Sequence, residues 1–379
     1  MKSRLSSAIV VALCAAGMGA PVSLLVVDDS AHSTAVRLGL RSYGRTAHHL
    51  LTEDAPAAAC LNAAAIQLTP ELPAYTVALP RHRDPQLPDV SVLFRDGDEV
   101  LVQMDEAAAL RIAQAGCEIV RLLDKPVPLR LPQPRDFRAP TSPDTFIQRI
   151  IARVSPDSIH SRMARLEAVR TRYSPTDSCH AAEVYLCNYL SSLGLDSVEL
   201  DPYVQGDTWH NVVATKLGRT RPDKVLIVGG HMDAISEAPE TLAPGMEDNA
   251  SGTCVGIEAA RVLADIDLDY TVKFTAFTGE EEGLYGSEHY AAQARARGED
   301  IIGVLNFDMV SWPGGSWGIA LVGAPAAASL VRYEAAITSL YTALGHRETY
   351  RSFPSDSRSF DNHGFPATSG YEYGSQGYI

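Results

Sequence analysis

At 379 residues, 46% of them hydrophobic, the chain is long enough for two domains, or for one large domain with an added segment, and its composition suits a sizeable core. The net charge of −14, from 46 acidic against 32 basic residues, argues against nucleic acid as a partner and for a soluble, acidic protein.

The first 20 residues read as a secretory signal peptide. Lys2 and Arg4 form a positive start, Ala8 to Ala16 is an apolar run, and small residues from Gly17 to Ala20 offer a cleavage site. The run is shorter than the roughly 20 apolar residues that span a bilayer. We therefore expect export to the periplasm or the medium, with no stable membrane insertion after cleavage. Of the six cysteines, Cys14 falls in this segment, which leaves Cys60, Cys117, Cys179, Cys187 and Cys254. An odd number leaves at least one thiol without an intramolecular partner. Cys179 and Cys187 lie on one expected helix, about 12 Å apart along its axis, beyond the roughly 7 Å that a disulfide spans.

Residues 21–141 are rich in Ala, Leu and Pro and carry little chemistry, which suggests a small α/β accessory domain or a pro-segment. Glu99 to Met104 reads as a strand, Asp105 to Ala115 as a helix with an Asp N-cap, and Cys117 to Leu123 as a second strand. Lys125 to Thr141 holds five prolines and reads as an extended linker. From Ser142 helices and strands alternate. Asp177 to Leu193 is an amphipathic helix ended by Gly194. Asn211–Lys216, Val225–Gly229, Tyr270–Thr278 and Val304–Phe307 read as strands, and Ser251–Asp265 and Ser287–Arg297 as helices between them. Ala326 to Leu344 is a further helix with Pro325 in its first turn. This pattern predicts an α/β fold with a mixed, mostly parallel central sheet covered by helices on both faces.

Ligands of such sheets bind at the carboxyl ends of the strands. His231 follows VLIVGG, Glu280 and Glu281 follow TVKFTAFTG, and Asp308 follows VLNF, while Asp248 lies in PGMEDNASG just before a helix. Singly, each has a dull explanation: a satisfied strand-end histidine, a helix cap, a solvated charge run. Together they offer one imidazole and several carboxylates at one sheet edge. That is ligand chemistry for zinc, with a spare carboxylate as general base, and it predicts metal-assisted hydrolysis.

With WHNVVA, GGHMDA, PGMEDNASG, GEEEGLYGS and NFDMV in place, the chain from Ser142 to Ile379 resembles the secreted zinc aminopeptidases with a co-catalytic metal pair, the bacterial leucyl type. The resemblance implies that His231 and Asp308 bind one Zn2+, that Glu281 binds a second, and that Asp248 bridges the two. It also implies Glu280 as general base and Asp233 as the partner that orients His231. Peptides would be the substrates, cut at their N-terminus.

Two departures stand out. Relatives carry a fifth ligand, a histidine beyond the last strand, in a stretch expected to begin near YEYGSQG (Tyr371–Gly377). Here the sequence stops at Ile379, so the catalytic domain, residues 142–379, is expected to lack its C-terminal end and one zinc site to be incomplete. Ser357 stands where relatives often show histidine, and it is not taken as a ligand. His363 reads as an exposed or helix-terminal histidine rather than a substitute. Two alternatives to an active aminopeptidase therefore remain open: a catalytically impaired or inactive homologue, and a glutaminyl-peptide cyclase on the same fold.

Overall fold

The computed structural model describes residues 22–61, 63–69, 72–79, 90–133, 135, 137–203, 209–312 and 318–372. The expected signal peptide, and most of the stretch where a fifth ligand was sought, lie outside the described residues. No helix among the described residues is long and apolar enough to cross a membrane.

The N-terminal part is richer in strands than the sequence reading. It contains β1 (Val22–Asp28), β2 (Arg41–Arg45), β3 (His49–Glu53), β4 (Ala63–Leu68), β5 (Ala74–Ala78), β6 (Ser91–Asp96), β7 (Glu99–Gln103), β8 (Glu118–Arg121) and β9 (Val127–Pro128). They form two antiparallel sheets, ordered β4-β1-β3-β2-β9 and β6-β7-β5-β8. Helix α1 (His32–Arg37) and helix α2 (Glu106–Gln114) accompany them, and the Asp105 carboxylate caps α2 by accepting from Ala108 N–H at 2.7 Å. The proline-rich stretch is not a free tether. β9 pairs with β2, and Leu129 next to it is buried.

The second part is built on eight strands: β10 (Ser197–Pro202), β11 (His210–Lys216), β12 (Arg221–His231), β13 (Tyr270–Phe277), β14 (Asp300–Phe307), β15 (Gly318–Gly323), β16 (Gly345–Tyr350) and β17 (Ala367–Glu372). Their order is β10-β11-β13-β12-β14-β17-β15-β16. The central pairs β13/β12, β12/β14 and β14/β17 are parallel, as is β15/β16, while β10/β11, β11/β13 and β15/β17 run antiparallel. The mixed, mostly parallel sheet flanked by helices is thus present.

Side-chain alternation along the strands decides which helices cover which face. Val212, Ala214, Phe274 and Ala276 share one core with Met163, Leu166, Leu186 and Ile257. Those four come from α4 (Pro156–Glu167), α5 (Asp177–Ser191) and α6 (Gly252–Leu263), which follow α3 (Thr145–Ile151). Val213, Ile227 and Val304 face the other way, onto Tyr290, Ala294 and Phe360. These belong to α7 (Tyr285–Arg297) and α9 (Ser357–Asn362); α8 (Ala328–Tyr341) packs over β15 through Val331 and Ala335. The two parts of the chain meet across a buried ion pair. Arg358 on α9, fully buried, grips Glu99 on β7 with both terminal nitrogens, one at 3.1 Å, and also donates to Thr76 Oγ1 at 3.1 Å.

Candidate metal centre

The parallel strands end where the chemistry was expected. His231 is the last residue of β12, and Asp308 directly follows β14. The ligand-bearing atoms of His231, Asp248 and Asp308 lie within 4.8 Å of one another. His231 Nε2 is 3.3 Å from Asp248 Oδ1, 3.3 Å from Asp308 Oδ1 and 4.0 Å from Glu280 Oε2. On the other side of the ring, Nδ1 faces Asp233 Oδ1 at 3.5 Å, and neither atom has another hydrogen-bond partner.

Local backbone explains how these side chains meet. Asn249 acts as a clasp: its Nδ2 donates to Phe307 O at 2.9 Å, and its Oδ1 accepts from Met309 N at 3.2 Å and Gly252 N at 2.8 Å. It thereby ties the Asp248 turn to the end of β14. Arg172, fully buried, spends its guanidinium on carbonyls of the two ligand loops, reaching Met232 O at 2.6 Å and Gly245 O at 2.7 Å. Close approach of α6 to the sheet needs Gly252, because a Cβ there would sit 2.0 Å from Phe307 O.

The glutamate triplet is not a solvated charge run. Glu280 is 2% exposed, with Oε1 unpartnered, and Glu281 accepts from Ile235 N at 3.1 Å through Oε1. Glu282 accepts from Ser174 Oγ at 2.8 Å, and Ser174 also donates to Asp233 Oδ2 at 3.2 Å. Asp233 Oδ2 in turn accepts from Glu281 N at 3.1 Å. Asp233 therefore holds the turn that presents Glu281 while facing His231. Glu281 itself stands outside the three-residue grouping.

The electrostatics report a site short of positive charge. Burial pushes Glu280 and Glu281 well above the usual carboxylate range, with His231 partly opposing this. Burial disfavours a charge on His231, but Glu280 and Asp308 outweigh it and hold the imidazole proton well above the histidine range. Among the described residues, no lysine or arginine pairs with Asp248, Glu280, Glu281 or Asp308. An imidazole, crowded carboxylates and an orphaned buried oxygen fit a divalent zinc ion, which would supply the missing charge.

Three contributors were not visible in the motifs. Glu118 on β8 of the N-terminal part is raised by burial and then by the charges of Asp248 and Asp308, so its carboxylate belongs to the same electrostatic group. Asp356, fully buried, is pushed up to about 7 by burial, with His231 and then Ser287 opposing. Ser174 is the third. Nothing in CEIVRLL marks Glu118 as different from any solvent-facing strand residue. His363 caps the end of α9, is 6% exposed and pairs with Glu288 at 2.5 Å, which accounts for it without a metal.

Beside Glu281 opens a cavity of about 910 Å³ shared by both parts of the chain. Tyr75, Ile119 and Arg121 line it from the N-terminal sheets, and Tyr203, Trp209 and Tyr285 from the other side. Arg121 N–H approaches Gly283 O at 3.4 Å, and its guanidinium donates to Tyr285 OH at 2.7 Å. Trp209 stands edge-on to Tyr203 and to Tyr285, with ring centroids 6.2 and 6.1 Å apart. Gly279, at φ +70°, must stay bare, because a Cβ there would lie 2.8 Å from Tyr203 OH.

Residues 211–378 match the model of peptidase family M28. A probable zinc metalloprotease of the fungus Pyrenophora teres is 31% identical over 192 residues, covering 44% of this chain and 41% of that protein. A similar one from Pyricularia oryzae is 33% identical over 198 residues, 46% of this chain and 39% of its own length. The match thus spans about two fifths of those relatives. A probable leucine aminopeptidase of Arthroderma otae aligns more broadly, 24% identical over 76% of this chain and 83% of its own. In fold, the chain is similar to the LapA aminopeptidase of Legionella pneumophila, with a TM-score of 0.61 at 16% identity over 79% of this chain and 88% of that one. LapB of the same organism gives 0.59 at 15% identity, over 94% of this chain and 89% of that one. Over residues 211–378, then, the chain carries the pattern of peptidase family M28, and its relatives in sequence and fold include zinc metalloproteases and aminopeptidases.

Proposed function

We propose that this chain is an exported zinc-dependent aminopeptidase that removes N-terminal residues from peptides. The observation that carries the reading is the convergence of buried His231 and Asp308 with half-buried Asp248 within 4.8 Å, with Glu280 beside them. Zinc held there would supply a Lewis acid and lower the pKa of a nearby water. His231 and Asp308 would hold one ion, Glu281 a second, and Asp248, whose side chain is 36% exposed, would bridge them. Glu280 would take the proton of the attacking water and pass it to the leaving amine, a role supported by its Oε1 having no hydrogen-bond partner. Asp233 would fix the tautomer and orientation of His231. Export rests on the Lys2 and Arg4 start and the apolar run behind it.

The position of Glu281 outside the three-residue grouping favours a second reading, a chain that binds one metal and turns over poorly. Metal content and turnover of a leucyl anilide by the purified chain separate the two. Two zinc ions at this centre, counted as those lost on Asp248→Ala, with turnover support the first reading; one such ion without turnover supports the second. Glu280→Gln is expected to lower turnover by at least about a hundredfold with zinc retained. Asp248→Ala is expected to lose zinc from this centre. Zinc loss in the Glu280 variant would instead make that residue a ligand and overturn its role as base.

A further inference from the structure

A second set of metal-ligating side chains lies outside the centre described above. His180 and Glu183 stand one turn apart on α5, and His210 opens β11. His180 Nδ1 lies 2.7 Å and His210 Nδ1 3.0 Å from the same carboxylate oxygen, Glu183 Oε2, and the two rings are 5.2 Å apart. All three donor atoms fall within 4.8 Å of one another. The geometry points to a second metal site here, built from two imidazoles and one carboxylate for a borderline divalent ion of the zinc class.

Three features favour an ion over a plain hydrogen-bonded trio. First, the Glu183 side chain is 1% exposed, and its ion pairs among the described residues are with these two imidazoles alone. A buried carboxylate needs compensation by positive charge or hydrogen bonds, and a divalent ion shared with the two imidazoles would supply it. Second, the second oxygen of Glu183 accepts from the His210 backbone N–H at 3.2 Å, which pins the carboxylate and frees Oε2 as a ligand. Third, the donor set is that of zinc, whose bonds of about 2.0–2.2 Å to nitrogen and oxygen put tetrahedral ligand atoms roughly 3.4 Å apart. The observed 2.7 and 3.0 Å separations need to open by only about half an ångström. The His180 side chain is 47% exposed, so it can swing by that much and leave the remaining position to water.

The site also touches the cleft. His210 O accepts from Thr278 Oγ1 at 3.0 Å, and Tyr203 OH pairs with the same hydroxyl at 2.7 Å. A metal on His210 would stiffen the start of β11 beside Trp209, one wall of the cavity. It would act by positioning that wall and not as a catalytic centre.

The test uses the full chain with Asp248→Ala, which removes the first centre, and reads zinc binding by calorimetry and metal analysis after dialysis. One zinc per chain is expected to remain. Adding His180→Ala, at a half-exposed position where folding is not at risk, or Glu183→Gln is expected to weaken that binding at least about tenfold, because one of three ligands is lost. Full binding in the His180 variant, or no zinc in the folded Asp248→Ala chain, would overturn the inference. A wild-type chain that holds zinc lost only through Asp248→Ala would leave the aminopeptidase reading intact while sinking this one.

Discussion

Single side chains in this protein are set by the company that burial forces on them. Glu280, Glu281 and Asp248 are hydrolytic candidates because several acids share a volume with one imidazole. The same physics acts on Glu334 on α8. Burial pushes its carboxyl up to about 8, with a Thr368 hydrogen bond only partly opposing, and its Oε2 has no partner. The folded chain then keeps a proton that the unfolded chain releases near the ordinary carboxyl range. The stability this contributes is full below that range and falls as pH climbs to about 8. Glu334→Gln should remove the fall, so between about pH 5.5 and about pH 8.5 the wild-type melting temperature drops by several degrees more than the variant's. Equal drops would show that Glu334 ionises normally. His231, Glu280, Glu281 and Asp308 were legible because they follow strands rich in β-branched and aromatic residues, and Asp248 because its loop leads into a helix. Glu118, Asp356 and the His180 trio were not, because their significance comes from contacts between segments distant in sequence.

At the scale of elements, glycine sets how near a helix can lie to a strand. With Gly252 at the start of α6, Asn249 clasps both the helix and the end of β14. Gly252→Ala would place a methyl against Phe307 O and 2.6 Å from Asn249 Oδ1. Overpacking of this kind costs about 1–3 kcal/mol; the expected result is a lower melting temperature together with weaker zinc binding, both measurable on the same sample. Unchanged zinc affinity would mean that the clasp does not position Asp248. Strands β11 to β14 were legible, since their inward and outward residues both read as apolar core. β4 was not: AAAIQL favours helix on intrinsic propensity, yet it forms an exposed edge strand against β1. β16, GHRETY, is largely exposed and shows no alternation, and the short α9 lacks the length that makes a helical period visible. The helix expected over Ala326–Leu344 begins with a 3₁₀ turn at Pro325 and ends at Tyr341.

For the molecule as a whole, the joint between its two parts decides how it unfolds. The Arg358–Glu99 pair is fully out of water, and removing one partner of such a pair costs about 3–5 kcal/mol. Arg358→Met is therefore expected to lower the melting temperature sharply, and Arg358→Met with Glu99→Leu to recover much of the loss, because no lone charge is left inside. If the double variant is as unstable as the single one, the cost lies in lost packing and not in electrostatics. The joint has a further consequence at Arg121, whose main chain leans on Gly283 next to the glutamate triplet. The depth of the cleft is fixed by where one sheet rests upon another. A slide of that seam by a fraction of an ångström would lengthen or shorten the reach available to a guest without altering any reactive atom, so selectivity in such a scaffold can drift while its chemistry stands still.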